Sequence, residues 1–242
     1  IWENGEAYEN FMGQWSRLVG KKFLGWLNPP QGVRWLEVGC GTGAFTQVIL
    51  DQGAPGEIVG IDPAEAQLAL AKQSVVGANT DFRSGDALEL PFADDEFDIA
   101  VSGLVLNFVP DQEKMILKMK RVVRPSGKVA LYVWDFAGGK PVAQHIVEAI
   151  AARDSAAIQR INSGSRAQTT RLEYLRELLE NGGFVEVETN PIEIDVRFDD
   201  FSAYWSANTE FASPPGQYVE GLSAGEQEEY LAEVKHRLPI SD

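Results

Sequence analysis

Three glycines in alternation, Gly39, Gly41 and Gly43, follow the short apolar run VRWLEV and precede an amphipathic helical pattern. Strand, tight turn and helix in that order bring bare backbone N–H groups up to a nucleotide-like ligand. Glycine is required because a Cβ would block the approach and disfavour positive φ. An acid closes the next apolar run, EIVGID, at Asp62. From there one carboxylate can accept from both hydroxyls of a ribose. Glu37 stands inside the end of the first run, two residues before the first glycine, and a third acid, Asp86 in RSGDALELPF, ends the third. The glycines alone do not choose a ligand, since Gly39-x-Gly41-x-x-Ala44 also satisfies the dinucleotide fingerprint in its G/A form.

Periodicity sets these residues in a frame. Strands are expected at 33–38, 57–62, 80–85, 97–102 and 128–135, separated by helices at 43–52, 64–74 and 111–123. That alternation predicts an α/β fold: a doubly wound, Rossmann-like, mostly parallel sheet with helices on both faces. Ahead of it, Tyr8, Phe11, Met12, Trp15, Leu18, Val19, Phe23, Trp26 and Leu27 recur at helical spacing until Asn28-Pro29-Pro30 stops the run. After Gly138-Gly139 a helix is expected over 141–160, and Thr170 with Glu173 reads as a capping box for a helix over 171–180. FVEVETNPIEIDVRF, 184–198, reads as strand six. DDFSAYWSAN and SAGEQEEYLAEVKHRL read as helices, the second with its own box from Ser223 to Glu226, and FASPPGQY as a turn-rich connector. The expected organisation is one domain over 1–242, with an N-terminal helical cap (1–30), a cofactor-binding core (31–137) and a C-terminal half with substrate-cap helices (138–242). No alternating apolar run after 198 offers a seventh strand. Either Pro191 splits 184–198 in two, or the natural chain continues past Asp242; continuation is the expectation.

Composition narrows the partners. The 242 residues carry 21 Lys and Arg against 36 Asp and Glu, a net charge of −15. With no basic cluster to track phosphates, nucleic acid and anionic membranes are not expected partners. The one cysteine, Cys40, sits in the glycine turn as a small residue, and two separated histidines offer no metal cluster. No run of 18 apolar residues and no signal peptide is recognisable, so a cytoplasmic protein without membrane insertion is expected. Asp94, Asp95, Glu96 and Asp98 read as a solvated acidic loop.

The ordered set ExGxGxG, then Asp62, then GDA, then FDxxxS, then PxG before strand five resembles the class I S-adenosylmethionine-dependent methyltransferases. Within them it resembles the small-molecule group that includes quinone-biosynthesis enzymes. The likeness runs from about Tyr8 to Val187. It implies S-adenosyl-L-methionine as cofactor and a small-molecule methyl acceptor. By that resemblance Gly39, Gly41 and Gly43 approach the carboxypropyl and ribose part of the cofactor, and Glu37 orders the loop near its ammonium. Asp62 binds the ribose hydroxyls with Gln67 bordering them, Asp86 accepts from the adenine amine, and the Ala87 amide meets a ring nitrogen. Ser102 faces the methionine end. YENFMGQWSR resembles a segment that covers that end in a bacterial subset, which implies a guanidinium–carboxylate pair for Arg17. Tyr8, Met12, Trp15, Trp134, Tyr204 and Trp205 are expected to wall the acceptor pocket. Asn107 stands where relatives often carry histidine and is left as a hydrogen-bonding group, so no catalytic base is assigned; His145, after strand five, reads as a surface or packed residue. Two other readings stay open: a nicotinamide-dependent oxidoreductase, and a non-catalytic S-adenosyl-ligand sensor.

Overall fold

A computed structural model describes residues 14–135, 142–162, 168–209 and 214–238. The described residues fall into two compact units, one within 2–134 and 169–194, the other within 135–168 and 195–242.

The first unit holds the sheet. Its strands are β1 (Arg34–Val38), β2 (Glu57–Asp62), β3 (Thr80–Ser84), β4 (Phe97–Gly103) and β5 (Val123–Tyr132), all parallel in the order β3-β2-β1-β4-β5. Alternation along each strand assigns its two faces. Trp35, Ile58, Ile99 and Val101 point to one side, where helices α1 (Gln14–Leu27) and α2 (Ala44–Gly53) supply Val19, Phe23, Leu24, Phe45, Val48 and Ile49. Leu36, Val38, Val59, Ile61 and Ala100 point to the other. There they meet Met115, Ile116, Met119 and Val122 of α4 (Gln112–Val122) and Leu175 of α7 (Leu172–Asn181). Helix α3 (Glu65–Ser74) contributes Leu68 and Ala71 to a smaller cluster with Phe82 and Cys40. α4 shows why such a helix forms. Asp111 caps it by accepting from the Lys114 amide at 2.9 Å, its buried residues recur at helical spacing, and Lys120 and Arg121 face the negative end of its dipole.

Several expectations need correction. Residues 14–27, within the expected N-terminal cap, pack as a layer of the sheet unit, with Val19, Phe23, Leu24 and Leu27 among its core side chains. Segment 184–198 forms no ladder among the described residues. Glu186 has φ 55, Pro191 lacks a donor, and Arg176 takes the Val187 carbonyl that a neighbouring strand would use. Ile192 and Ile194 still pack on the core. The box at Thr170 does not form; Arg171 is the N-cap of α7 and no side chain caps it. β5 starts at Val123, earlier than expected, with an irregularity opposite Phe97 and Ile99.

The acidic run is not simply solvated. Asp94 pairs with Arg121 and Glu96 with Arg34. Asp98 accepts from the Arg34 amide at 2.6 Å and pairs with Arg124. It thus takes up the first amide of β1, one residue before the β1–β4 pairing begins at Trp35 and Ile99.

The second unit is helical: α5 (Gln144–Arg153), α6 (Ser155–Asn162), α8 (Phe201–Thr209), α9 (Pro214–Glu220) and α10 (Ala224–Arg237). The helix expected over 141–160 breaks at Asp154, whose Oδ1 accepts from the Ala156 and Ala157 amides and so caps α6. The connector expected at FASPPGQY contains α9, for which a proline in the first turn is no obstacle. The Ser223–Glu226 box forms as read. Ile146, Ile150, Tyr204, Tyr230 and Val234 make the core, with the Tyr230 hydroxyl donating to the Ile146 carbonyl at 2.7 Å.

Asp98 generates a test. Asp98→Ala should destabilise the protein by about 1–3 kcal/mol, the usual cost of orphaning a buried amide. Asp98→Asn, which retains an acceptor for the Arg34 amide, should cost less. Urea unfolding of the three proteins measures both; equal stability of wild type and Asp98→Ala would remove this role.

Candidate active site

β1 ends under a turn that only glycine fits. Gly39 has φ 77, and a Cβ there would lie 2.4 Å from a Val105 methyl; Gly43 has φ 82, with a Val75 methyl at the same distance. Three bonds tie this turn to the end of β2. The Gly39 and Cys40 amides donate to the Ile61 carbonyl at 2.8 and 2.9 Å, and the Gly41 amide donates to Asp62 Oδ2 at 3.0 Å. The loop therefore presents its backbone to a cavity of about 430 Å³ at the C-terminal ends of the strands. That cavity includes Gly39 after β1 and Gly103 after β4, the two strands where the sheet order reverses.

Its wall follows the sheet. Gly85, Asp86, Ala87 and Leu88 stand past β3; Asp62, Pro63 and Ala64 past β2; Gly103, Leu104 and Val105 past β4; Tyr132 at the end of β5. Gln67, Thr42 and Phe45 join from the helical side, and Phe108, Val109 and Pro110 add an apolar rim. Among the described lining residues there are three carboxyl groups and no Lys, Arg or His.

The three acids differ in surroundings. Glu37 is 1% exposed and shares a face of β1 with Trp35, so it meets α2, where the Thr46 hydroxyl donates to its Oε2 at 2.5 Å. Burial pushes its pKa up to about 8, the Thr46 bond opposes that rise, and the nearby Asp62 carboxylate adds to it. Asp62 is also raised by burial, against the pull of the Ala64 and Gly41 amides. Its Oδ1 accepts from Ala64 at 2.9 Å. Asp62 is thus both the turn residue before Pro63 and a cavity acid, because each oxygen keeps a second lone pair. Asp86 is exposed and accepts from the Leu88 amide at 2.8 Å, a turn bond that likewise leaves acceptor capacity.

The structure brings together Glu37, Gly39, Gly41, Asp62, Gln67, Asp86 and Ala87 on this wall, and Gly43 shapes the turn behind it. It does not place Ser102 there: that hydroxyl donates to the Val38 carbonyl at 2.9 Å and ties β4 to β1. Arg17 is exposed and off the described wall, and Trp15 is 4% exposed within the fold. Asn107 is buried, off the wall, with both atoms of its amide unpartnered. Trp134 lies two residues beyond the end of β5 against the α1 face. Tyr204 and Trp205 belong to the core of the helical unit, Trp205 stacking on Phe201 at 5.9 Å. His145, in that unit, stands 3.7 Å from Glu148. Tyr8 and Met12 lie outside the described residues. Sequence reasoning missed Ser16, Phe45, Thr46 and Tyr132. For Thr46 a signal existed, since the first turn of the helix after a glycine loop folds back over the strand before it.

Residues 36–131 match the family model of a methyltransferase domain. A demethylmenaquinone methyltransferase of Bacillus licheniformis is 39% identical over 105 residues, covering 43% of this chain and 45% of that protein. A 2-phytyl-1,4-naphtoquinone methyltransferase of Synechococcus elongatus is 32% identical over 133 residues, covering 51% and 57%. The chain spans about half the length of the curated relatives it matches. A solved S-adenosylmethionine-dependent methyltransferase of Aquifex aeolicus shares the fold, with a TM-score of 0.51 at 17% identity, covering 69% of this chain and 82% of that one. The matched span reaches from β1 through the glycine loop, Asp62 and Asp86 to β5, and over it the chain is similar to methyltransferase domains.

Proposed function

We propose that the chain transfers a methyl group from S-adenosyl-L-methionine to a small, largely apolar acceptor of the phenol or hydroquinone class. The observation that carries this reading is the wall of the glycine-loop cavity, with three carboxyls and no cationic side chain among its described residues. A pyrophosphate would find no counter-charge on the described wall, whereas a ligand with a sulfonium and an ammonium is stabilised by those acids. This favours the methyltransferase over the nicotinamide reading. The rim of Leu88, Val105, Phe108, Val109 and Pro110 suits an apolar ring, and the curated relatives above are named for quinone-type acceptors. The net charge of −15 disfavours nucleic acid. Among the described residues no helix is long and apolar enough to cross a membrane, and the proposal places the protein in the cytoplasm.

When bound, the cofactor supplies an already electrophilic methyl on a sulfonium. The chain's part is to hold that group in line with the acceptor and keep water away. The glycine-loop amides and Glu37 hold the amino-acid end, Asp62 the ribose, and Asp86 with the Ala87 amide the adenine. Methyl transfer would exchange the carbon–sulfur bond for an acceptor–methyl bond, with the acceptor's proton released to solvent. A phenol or hydroquinone is acidic enough to need no imidazole, which matches the absence of histidine from the described wall. The direct test of function is incubation with S-adenosylmethionine and a panel of reduced quinones and phenols, read by mass spectrometry. A gain of one methyl group supports the reading; tight cofactor binding without methylation of any acceptor would favour the sensor.

Two variants follow. Asp62→Asn keeps an acceptor oxygen for one of the Gly41 and Ala64 amides and loses the charge toward the ribose. Affinity for S-adenosylhomocysteine should fall by roughly tenfold to a hundredfold, since a charge-assisted bond is worth about 1.5–3 kcal/mol. Calorimetry showing an unchanged dissociation constant would refute the ribose role.

Glu37 gives a pH dependence of definite sign. Its folded pKa of about 8 lies above the usual 4.5, so the native state holds a proton that the unfolded chain releases. Stability from this group is present below about 4.5 and is lost as pH rises to about 8. Glu37→Gln should remove that share of the decline, on the order of a few kcal/mol, as read from paired melting curves. Conversely, binding a cation favours the carboxylate. S-adenosylmethionine should therefore bind with proton release below about pH 8, measured by calorimetry in buffers of different ionisation enthalpy. No proton release by wild type would contradict the assignment.

A further inference from the structure

The loop from β4 to α4 is held in place from outside. Leu104 opens it at φ 63, a left-handed conformation that is costly for a residue other than glycine. Asn107, in the short 3-10 turn Leu106–Phe108, is buried with both amide atoms unpartnered. A conformation with those costs persists only where its surroundings impose it. Here the Leu104 amide donates to the Tyr132 carbonyl at 2.8 Å, and Asp111 caps α4 at the loop's far end. Between them Gln112 Nε2 donates to the Leu106 carbonyl at 3.0 Å, and the Tyr174 hydroxyl donates to Gln112 Oε1 at 2.6 Å. Tyr174, on α7, thus reaches the turn through one intermediary.

The turn divides its side chains. Leu106 is 1% exposed, in the core that holds Met115 and Leu175, whereas Phe108 is 41% exposed and lines the cavity. A ring that open on the cavity wall has a face to offer a ligand. Val105, three residues earlier, stands against the glycine turn, its methyl 2.4 Å from where a Gly39 Cβ would lie. The loop therefore borders the β1 and β4 end of the cavity, whereas Asp62 and Asp86 follow β2 and β3.

We infer that Tyr174 is a positioning residue for the methyl acceptor: through Gln112 and the Leu106 carbonyl it sets the turn, and so the Phe108 ring on which an aromatic acceptor stacks. The inference rests on the proposed function. The covalent order of the S-adenosyl ligand is adenine, ribose, sulfur. With adenine at Asp86 and ribose at Asp62, the sulfur and its methyl fall toward the β1 and β4 end, beside this loop. An acceptor ring in line with that methyl meets Phe108. Leu106 and Phe108 share the backbone of one turn, so a turn that rotates about the Leu106 carbonyl carries the Phe108 ring with it.

Calorimetry with 2-naphthol, a planar phenol, at saturating S-adenosylhomocysteine tests this without turnover. Phe108→Ala should weaken 2-naphthol binding by roughly tenfold, the loss of a stacked ring. Tyr174→Phe removes one hydroxyl and should weaken it by about fivefold, the usual contribution of one neutral hydrogen bond. Added to Phe108→Ala, Tyr174→Phe should have almost no further effect, because the ring it positions is gone. Affinity for S-adenosylhomocysteine should be the same in every variant. Additive effects of the two substitutions, 2-naphthol affinity unchanged by Tyr174→Phe, or weakened S-adenosylhomocysteine binding by Tyr174→Phe would overturn the assignment. A wild type that binds S-adenosylhomocysteine but not 2-naphthol would overturn it and leave the cofactor reading standing; one that binds neither would end both.

Discussion

The bond from the Gly41 amide to the Asp62 carboxylate fastens the loop after β1 to the end of β2. With the two amides that share the Ile61 carbonyl, it fixes which N–H groups face the cavity. The glycines permit the turn, and Asp62 chooses where it rests. One side chain thus shapes the loop and keeps a carboxyl group on the cavity wall. That coupling explains why an acid at the end of β2 and glycines at the end of β1 must act together. They are 21 residues apart in sequence but adjacent in the sheet.

The same arrangement sets the electrostatics. Placing Glu37 and Asp62 at one buried wall without a cation raises both pKa values, and Glu37 faces only the Thr46 hydroxyl as a named hydrogen-bond partner. The fold thereby keeps a wall that is unfavourable when empty and is relieved by positive charge. In the proposed function, stability given up around Glu37 would become preference for a cationic ligand, linking the cost of burial to selectivity. The aromatic contacts of Phe23, Phe45 and Tyr132, with ring centroids 4.8–5.8 Å apart, hold α1 and α2 against the sheet and so keep that wall in place.

What could be read from sequence was local. The glycine turn, Asp62 and Asp86 are legible because their chemistry is set by immediate neighbours: positive φ, the end of an apolar run, a short turn. The parallel core was legible because buried strands and amphipathic helices alternate with regular spacing. Residues whose use depends on distant partners were not. Ser102 resembles a cavity residue until its bond to Val38 is seen, and 184–198 resembles a strand until Arg176 claims the Val187 carbonyl. Asp98 hid in an acidic run because its partners, Arg34 and Arg124, come from the edges of two other strands. Tyr174 was hidden because its bond to Gln112 joins residues 62 apart in the chain.

The rest of the proposed chemistry depends on the cavity's preferring a cationic S-adenosyl ligand. Calorimetric titration of the ligand-free protein with S-adenosylmethionine and, separately, NAD tests it most directly. One site that takes S-adenosylmethionine, with no measurable heat from NAD, is the expected result. Binding of NAD in place of S-adenosylmethionine would contradict it.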